Sequence, residues 1–338
     1  MKTVPPPPLY LKVFTDKPFT NLCVQQWLDI ADVLNAKVFI ICEKLKLINQ
    51  IKNECFWHGK PVGESEVSFF PADFDSLKSL AKELVVPRWV NAAVSHLTTF
   101  QHASDNGYGC FWNIDADDTF FCLTPKQVAE ILLQVQKKFE NQHLDLCSLD
   151  MWFSLNGGKH WSFGVCLTRN IPNFFNLLIH HKQACHKDFE SIAENVRNLD
   201  FFITFLTKHE EKLKIGTFYV KNAAFTHYGL FLAQYPGVGT TIWCNGELLL
   251  PFIQGDLPYS YPIPDDTIEI DIGLHPPVGA SRICHNLQLT DEEIYRLHKL
   301  HLKYWFYSFM KKMGFKVNSY ERRALRARQQ INTFIANV

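Results

Sequence analysis

Residues 108–119 read YGCFWNIDADDT, and this segment decides the fold that we expect for the chain. It opens with a glycine in a predicted turn and continues as a largely apolar run that contains Cys110, Phe111, Trp112 and Ile114. A short apolar run bounded by turn residues is typical of a strand that is buried on both faces of an α/β sheet. The segment therefore predicts an α/β protein whose sheet includes this strand.

Three carboxylates follow within four residues at the end of this predicted strand, on Asp115, Asp117 and Asp118. In open α/β sheets, ligands bind outside the carboxyl ends of the strands, so these side chains stand where a ligand would lie. Their mutual repulsion favours a hard divalent cation, Mg²⁺ or Mn²⁺, because such ions take oxygen ligands and often bridge carboxylates to substrate phosphates. The alternative is a polar exit from the strand, with Asp118 and Thr119 in a turn.

The pattern Asp115-Ala116-Asp117 resembles the DxD signature of GT-A glycosyltransferases. In that family a strand ends in two aspartates that hold a metal ion and the diphosphate of a nucleotide-sugar. The resemblance implies a GT-A fold, which is a Rossmann-like mixed sheet flanked by helices. It also implies that Asp117 is a metal ligand, and that Asp115 is either a further ligand or a contact to the ribose and sugar of the donor.

The same residues fit a second pattern. Asp115-x-Asp117-x-Thr119 matches the DxDxT nucleophile loop of haloacid-dehalogenase-type phosphatases. Those enzymes carry the loop on the first strand of the catalytic core, whereas here more than a hundred residues of α/β pattern precede Asp115. A third hypothesis is a protein that binds a nucleotide or a carbohydrate without catalysis. Of these three functions, we expect the chain to be a glycosyltransferase.

The start of the chain predicts a β-α-β unit. Residues 9–15 and 37–42 are apolar runs typical of strands, and residues 22–34 have the apolar spacing of a helix. Such a unit implies parallel strands joined by a right-handed crossover. Further along the chain, a capping box at Thr124 predicts a helix to about residue 140, and residues 144–153 and 159–167 are each predicted as one strand. Neither GxGxxG nor GxxxxGK[ST] occurs in the chain, so neither a dinucleotide-binding fingerprint nor a P-loop is predicted.

The resemblance to GT-A enzymes assigns donor-binding positions around this unit. In those enzymes, residues after the first strand and at the end of the second contact the base and ribose, and here these are Thr15, Asp16 and Glu43. The helix before the DxD strand commonly offers an Arg or Lys and a polar residue to the sugar diphosphate, which matches Arg88 and Asn91. A guanidinium group suits a diphosphate because it donates two parallel hydrogen bonds.

Later segments resemble parts of glycosyltransferases similar to the family-8 enzymes. The predicted strand 159–167 carries their G-V-x-L match, and Asp200 stands in a segment that resembles their acidic helix. The resemblance implies that Asp200 is the catalytic residue, with Asp150 as the alternative for that role. His227 lies in a segment that resembles the one whose histidine completes the metal shell. Carboxylate and imidazole ligands together suit Mn²⁺.

Composition and charge divide the chain into three predicted parts. Residues 1–230 are predicted as the GT-A catalytic domain, and residues 231–290 as a turn-rich, proline-rich extension. Residues 291–338 are predicted as a basic helical tail, because they carry ten Lys or Arg against four Asp or Glu in a chain with no net formal charge. The tail combines this basic charge with aromatic side chains and an apolar helix side, a pattern that favours peripheral contact with an anionic membrane surface.

The expected location and partners follow from these features. The ten cysteines form no CxxC pair and several stand in apolar runs, so we expect buried free thiols. The first residues lack the apolar region of a signal peptide, and no run of about 18 apolar residues predicts a membrane-spanning helix. We therefore expect a cytoplasmic protein, or one at the inner face of a membrane. The expected partners are a nucleotide-sugar, with UDP-sugars favoured, and a glycan or lipid-linked acceptor, but not a nucleic acid.

Overall fold

The computed structural model describes residues 5–13, 20–116, 118–120, 123–149, 151–153, 159–161, 164–170, 174–188, 199, 213–221, 225–227, 241–244, 247–250 and 268–273. The helices in this part of the chain are α1 Thr20–Leu34, α2 Leu45–Glu54, α3 Phe74–Leu84, α4 Val90–Asp105, α5 Pro125–Asn141 and α6 Phe174–Asp188, with short 3-10 helices at Val62–Glu64 and Pro87–Trp89. The strands are β1 Leu9–Val13, β2 Val38–Cys42, β3 Phe56–Trp57, β4 Lys60–Pro61, β5 Ser68–Pro71, β6 Cys110–Asp115, β7 Asp118–Phe120, β8 Leu146–Ser148, β9 Met151–Phe153, β10 Lys159–Trp161, β11 Val165–Arg169, β12 Ile215–Val220, β13 Phe225–His227, β14 Thr241–Cys244, β15 Glu247–Leu250 and β16 Ile268–Ile270.

Eight of these strands form one mixed sheet in the order β16-β12-β8-β11-β6-β1-β2-β5. Within it β11 is antiparallel to both of its neighbours, and the other described pairs are parallel. Helix α1 connects β1 to the parallel strand β2, which is the predicted β-α-β unit. The prediction of an α/β fold with a mixed sheet flanked by helices is confirmed.

Helices cover both faces of this sheet. Because successive side chains of a strand point to opposite faces, β1 contributes to two separate layers of the core. Leu9, Leu11 and Val13 belong to the layer formed with α1, α2 and α5, whereas Tyr10 belongs to the layer formed with α3 and α4. Strands buried on both faces must be apolar almost throughout, and this explains the sequences of β1 and β2.

The strand order reverses between β1 and β6. From β1 the chain crosses to β2 and then to β5 on one side, while β6 lies on the other side of β1. In a doubly wound sheet such a reversal opens a crevice at the carboxyl ends of the two strands, because the connections leave them in opposite directions. Strand β6 ends at Asp115, so the acidic segment, which is residues 115–118 of the sequence, begins at this position.

Two predicted strands are divided in the structure, and the prediction of one strand in each place was wrong. Residues 144–153 form β8 in the main sheet and β9 outside it, and residues 159–167 form β10 outside the sheet and the start of β11 within it. Strands β9 and β10 pair with each other instead. An apolar run indicates extended chain, but it carries no sign of the point at which the chain leaves one sheet for another.

Helix α2 and the short pair β3–β4 were not predicted. The helix buries Leu47, Ile48 and Ile51 along one side, and polar residues occupy most of its other positions. That spacing is helical, but with only three buried residues in a ten-residue helix the signal is weak.

A second sheet has the order β15-β14-β13-β7. Strand β7 begins at Asp118, so Asp118 and Thr119 lie in a strand and not in a turn. Strand β13 is antiparallel to β7 and sets the backbone of His227 opposite Asp118. Residues 231–290 contribute β14 and β15 to this sheet, and β16 to the main sheet, where it pairs with β12. The division of the chain into three domains stays a prediction.

Trp27 links helix α1 to the first strand of the second sheet through a buried hydrogen bond. Its side chain is fully buried, and its indole Nε1 donates a hydrogen bond of 2.9 Å to the backbone carbonyl of Asp118. The contact joins residues 91 positions apart. Strand β7 is therefore held by both a buried aromatic side chain and its pairing with β13.

We expect Trp27→Phe to lower the free energy of unfolding by about 2 kcal/mol, because the change leaves a cavity and removes a buried hydrogen bond. Urea unfolding measures the loss. Val33→Ala, at a position of the same helix that is 52% exposed, serves as the control and should stay within about 0.5 kcal/mol of wild type. Equal stability of the two variants would contradict the proposed role of Trp27.

Candidate functional site

The core layer beneath α4 becomes polar at the carboxyl ends of β1 and β6. Lys12 and Asp115 stand opposite each other in the register of these strands, and Asn113 lies two residues before Asp115 on the same face. The Lys12 and Asn113 side chains are fully buried, whereas the Asp115 side chain is 16% exposed. The ion pair thus lies within the sheet, and of its two side chains only that of Asp115 is exposed to solvent.

The ammonium group of Lys12 holds both of its strand neighbours. Its Nζ lies 3.1 Å from Oδ1 of Asp115 and donates a hydrogen bond of 2.6 Å to Oδ1 of Asn113. A buried lysine needs such partners, because an unpaired charge removed from water costs several kcal/mol. The ion pair therefore fixes the position of the Asp115 carboxylate at the edge of the crevice.

His96 of α4 completes this cluster. Because Lys12 can only donate, it fixes the amide of Asn113 with Oδ1 towards the ammonium, which leaves Asn113 Nδ2 to donate to His96 Nδ1 at 3.4 Å. The remaining proton of a neutral His96 is then on Nε2, which lies 4.0 Å from Oδ1 of Asp115. Burial, together with the charge of Lys12, lowers the pKa of His96 well below its usual value, so His96 is neutral in the fold.

Two further polar side chains, Glu43 and Asn91, meet where β2 ends and α4 begins. Asn91 Nδ2 donates a hydrogen bond of 3.3 Å to the carboxylate of Glu43. Burial raises the pKa of Glu43 from 4.5 to about 7, against the opposing effects of the Asn91 hydrogen bond and the charge of Lys44. Glu43 can therefore carry a proton near neutral pH and donate a hydrogen bond as well as accept one.

The structure brings together some of the predicted site residues. Glu43 contacts Asn91, although the two are 48 positions apart in the chain. The backbone of Arg88 lies in the 3-10 helix that leads into α4, and that of His227 lies opposite Asp118. Five predicted residues lie outside the described part of the chain, namely Thr15, Asp16, Asp117, Asp150 and Asp200.

Lys12, Asn113 and His96 were not predicted as site residues. One signal for Lys12 was present, since it is the one charged residue in the apolar strand Leu9–Val13 and alternates onto the same face as Tyr10. Asn113 likewise interrupts the apolar run of β6. His96 gave no comparable signal, because a histidine within a helix is more often a packed core residue.

The donor set expected for a metal ion is only partly within the described residues. Among these residues, no group of three or more His, Cys, Asp and Glu side chains is arranged to hold a metal ion. The described contribution is the Asp115 carboxylate at the crevice, together with a strand pairing that places the His227 backbone beside the acidic segment. Carboxylates and an imidazole match the ligand preference of Mn²⁺, so the residues fit the ion by chemical type.

No protein-family model matches the chain, and a search of curated proteins found no match. Among the described helices, none is both long enough and apolar enough to span a membrane.

The raised pKa of Glu43 predicts a specific pH dependence of stability. In the unfolded chain this carboxyl ionises around pH 4.5, whereas in the fold it stays protonated until about pH 7. The folded state is therefore progressively penalised as pH rises through this window, and fully penalised above it. Because Glu43→Gln cannot ionise, we expect its free energy of unfolding to rise relative to wild type between these two pH values.

Urea unfolding at a series of pH values from 4.5 to 8 measures this difference. Glu130→Gln, at an exposed position of α5, is the matched control and should follow the wild-type profile. Parallel profiles for wild type and Glu43→Gln would show that Glu43 is not the group responsible.

Proposed function

We propose that this protein is a metal-dependent GT-A glycosyltransferase that transfers a sugar from a nucleotide-sugar to a glycan or glycolipid acceptor. One observation carries the proposal: the acidic segment follows β6 at the reversal of strand order, with its first carboxylate held at the crevice by Lys12. Nucleotides bind at this position in doubly wound sheets. The ion pair sets Asp115 in place before any ligand binds.

The donor would lie across the carboxyl ends of β2, β1 and β6. Glu43 would contact the base and ribose, together with Thr15 and Asp16 from the segment after β1, and Asn91 would contact the sugar diphosphate. The hydrogen bond between Glu43 and Asn91 supports this part of the proposal, since it brings two of the expected donor contacts together at this edge of the sheet. The ability of Glu43 to donate or accept a hydrogen bond suits a base that offers both kinds of partner.

The diphosphate would lie between α4 and the acidic segment. Arg88 would donate hydrogen bonds to its oxygens, and Asp117 and His227 would hold a divalent cation, Mn²⁺ or Mg²⁺, with Asp115 either a third ligand or a contact to the donor sugar. When bound, the cation supplies positive charge that offsets the charge on the leaving diphosphate. The pairing of β13 with β7 supports the inclusion of His227, because it sets this backbone beside residues that directly follow Asp117.

Asp200 is proposed as the catalytic residue, with Asp150 as the alternative. In an inverting reaction it would accept the proton of the acceptor hydroxyl, and in a retaining reaction it would orient the acceptor. NMR analysis of the product anomer distinguishes these two courses.

A phosphatase of the haloacid-dehalogenase type is the second candidate. The contact between Lys12 and Asp115 favours it, because that reaction needs a lysine near its nucleophilic carboxylate. Two features weigh against it: Lys12 precedes Asp115 in the chain, and β6 follows β1, β2 and β5 of the same sheet instead of opening the catalytic core. Hydrolysis of simple phosphomonoesters without any binding of nucleotide-sugars would favour the phosphatase.

The nucleotide-sugar proposal is tested by thermal unfolding with a panel of nucleotides and nucleotide-sugars, each with and without Mn²⁺. We expect one UDP-sugar to stabilise the protein in the presence of Mn²⁺, by about 2.7 kcal/mol at a concentration about 100 times its Kd. Asp117→Ala should lose the Mn²⁺-dependent part of this shift.

Asp105→Ala is the matched control, because Asp105 is exposed at the opposite end of α4 from Asn91, and it should respond as wild type does. A transferase assay with the stabilising sugar then separates an enzyme from a protein that only binds the ligand. The donor-site proposal fails if no nucleotide shifts the unfolding transition, or if Asp117→Ala keeps full Mn²⁺-dependent transfer.

The tail is proposed to place the enzyme at the cytoplasmic face of a membrane. Residues 291–338 lie outside the described part of the chain, so this proposal rests on their basic and aromatic composition. Liposome co-sedimentation should show binding that requires anionic lipid, weakens with salt and disappears when the chain ends near residue 314. Equal recovery in the supernatant with and without anionic vesicles would exclude it.

A further inference from the structure

Lys12 is a buried charge that the proposed function uses only to hold Asp115 in place. It stands in the middle of the sheet, between β2 and β6, and is fully buried. Lysine is almost never fully buried unless it is paired. Its partner here is Asp115, the first carboxylate of the acidic segment.

Stability alone is a poor explanation for this pair. Replacing a buried ion pair by apolar residues of similar volume is often neutral or stabilising, because the attraction between the charges scarcely offsets their loss of hydration. The neighbouring positions of β1 are apolar, and an apolar residue at position 12 would match them. The position of the charge, at the crevice and against the acidic segment, points instead to a role in the site.

One oxygen of the Asp115 carboxylate is turned into the sheet. Oδ1 is inaccessible to solvent and faces Lys12, so the exposure of this side chain comes from its other atoms. Asn113 holds Lys12 from a second direction, at 2.6 Å, so the ammonium group has little freedom to turn away. Its positive charge is therefore held in a fixed position, from which it repels any cation that approaches the acidic segment.

We propose that Lys12 is a positioning residue and an internal counter-charge of the divalent-cation site, an inference that rests on the proposed function. It holds Asp115 with one oxygen turned into the sheet, and its charge weakens the binding of a free divalent cation. The negative diphosphate of the donor offsets this repulsion, so the cation is held firmly only together with the nucleotide-sugar. Lys12 thereby couples the binding of the two.

The test measures the binding of Mn²⁺ alone to the full chain by isothermal titration calorimetry. Lys12→Met removes the charge and keeps an unbranched side chain, and Lys12→Gln removes the charge but keeps a hydrogen-bond donor should the methionine variant fail to fold. We expect either variant to bind Mn²⁺ at least about tenfold more tightly than wild type, because a nearby like charge is removed. Lys46→Met, at an exposed position of α2, is the matched control and should bind as wild type does.

The second measurement is the Mn²⁺ affinity of each protein with a saturating UDP-sugar. The gain in affinity on adding the nucleotide should be at least about tenfold smaller in the Lys12 variants than in wild type. A merely structural lysine would change the unfolding temperature and leave both Mn²⁺ measurements as they are.

The outcomes separate the inference from the proposed function. If wild type binds Mn²⁺ and the Lys12 variants bind it equally or more weakly, the counter-charge role is wrong and the glycosyltransferase proposal stands. If none of the proteins binds Mn²⁺, with or without nucleotide, both fail. Binding that appears only in the Lys12 variants would support the inference directly.

Discussion

The parallel pairing of β1 with β6 determines both the composition of these strands and the position of the candidate site. These strands meet in the interior of the main sheet, where helices cover both faces, so each strand must be apolar almost throughout. Their register also sets position 12 opposite position 115. With lysine at one position and aspartate at the other, burial of the first requires the second as its partner, and the carboxylate is thereby held at the crevice.

The requirement for partners extends from this pair to its surroundings. Lys12 orients the Asn113 amide, the amide determines which nitrogen of His96 accepts, and a neutral His96 directs its proton towards Asp115. A protonated His96 would add a second positive charge to a dry layer, and both burial and Lys12 oppose this. The polar end of the core is therefore an ordered set of donors and acceptors, in which Oδ1 of Asp115 is buried against Lys12.

The second sheet places two further strands, β7 and β13, next to the carboxyl end of β6. Strand β7 continues from the acidic segment and takes β13 as its neighbour, while Trp27 of α1 holds β7 from within the core. Residues from three distant parts of the chain thus meet at one corner of the fold. For the proposed glycosyltransferase, this corner is where a metal-bound diphosphate would lie, and β13 is the element that carries the proposed histidine ligand.

Local pattern in the sequence was enough to predict the β1-α1-β2 unit, the buried strand β6, helix α5 with its capping box at Thr124, and the carboxylates at the edge of the sheet. These features depend on residues a few positions apart, and hydrophobic periodicity and helix capping both involve residues at that spacing. The same local pattern failed for residues 144–153, because leaving one sheet for another depends on distant partners. Only the tertiary structure decided that Lys12 meets Asp115, that Glu43 meets Asn91 and that β13 lies beside β7. Each of these contacts joins segments 48 or more positions apart, and register and packing between such segments are set by the whole core and not by either segment alone.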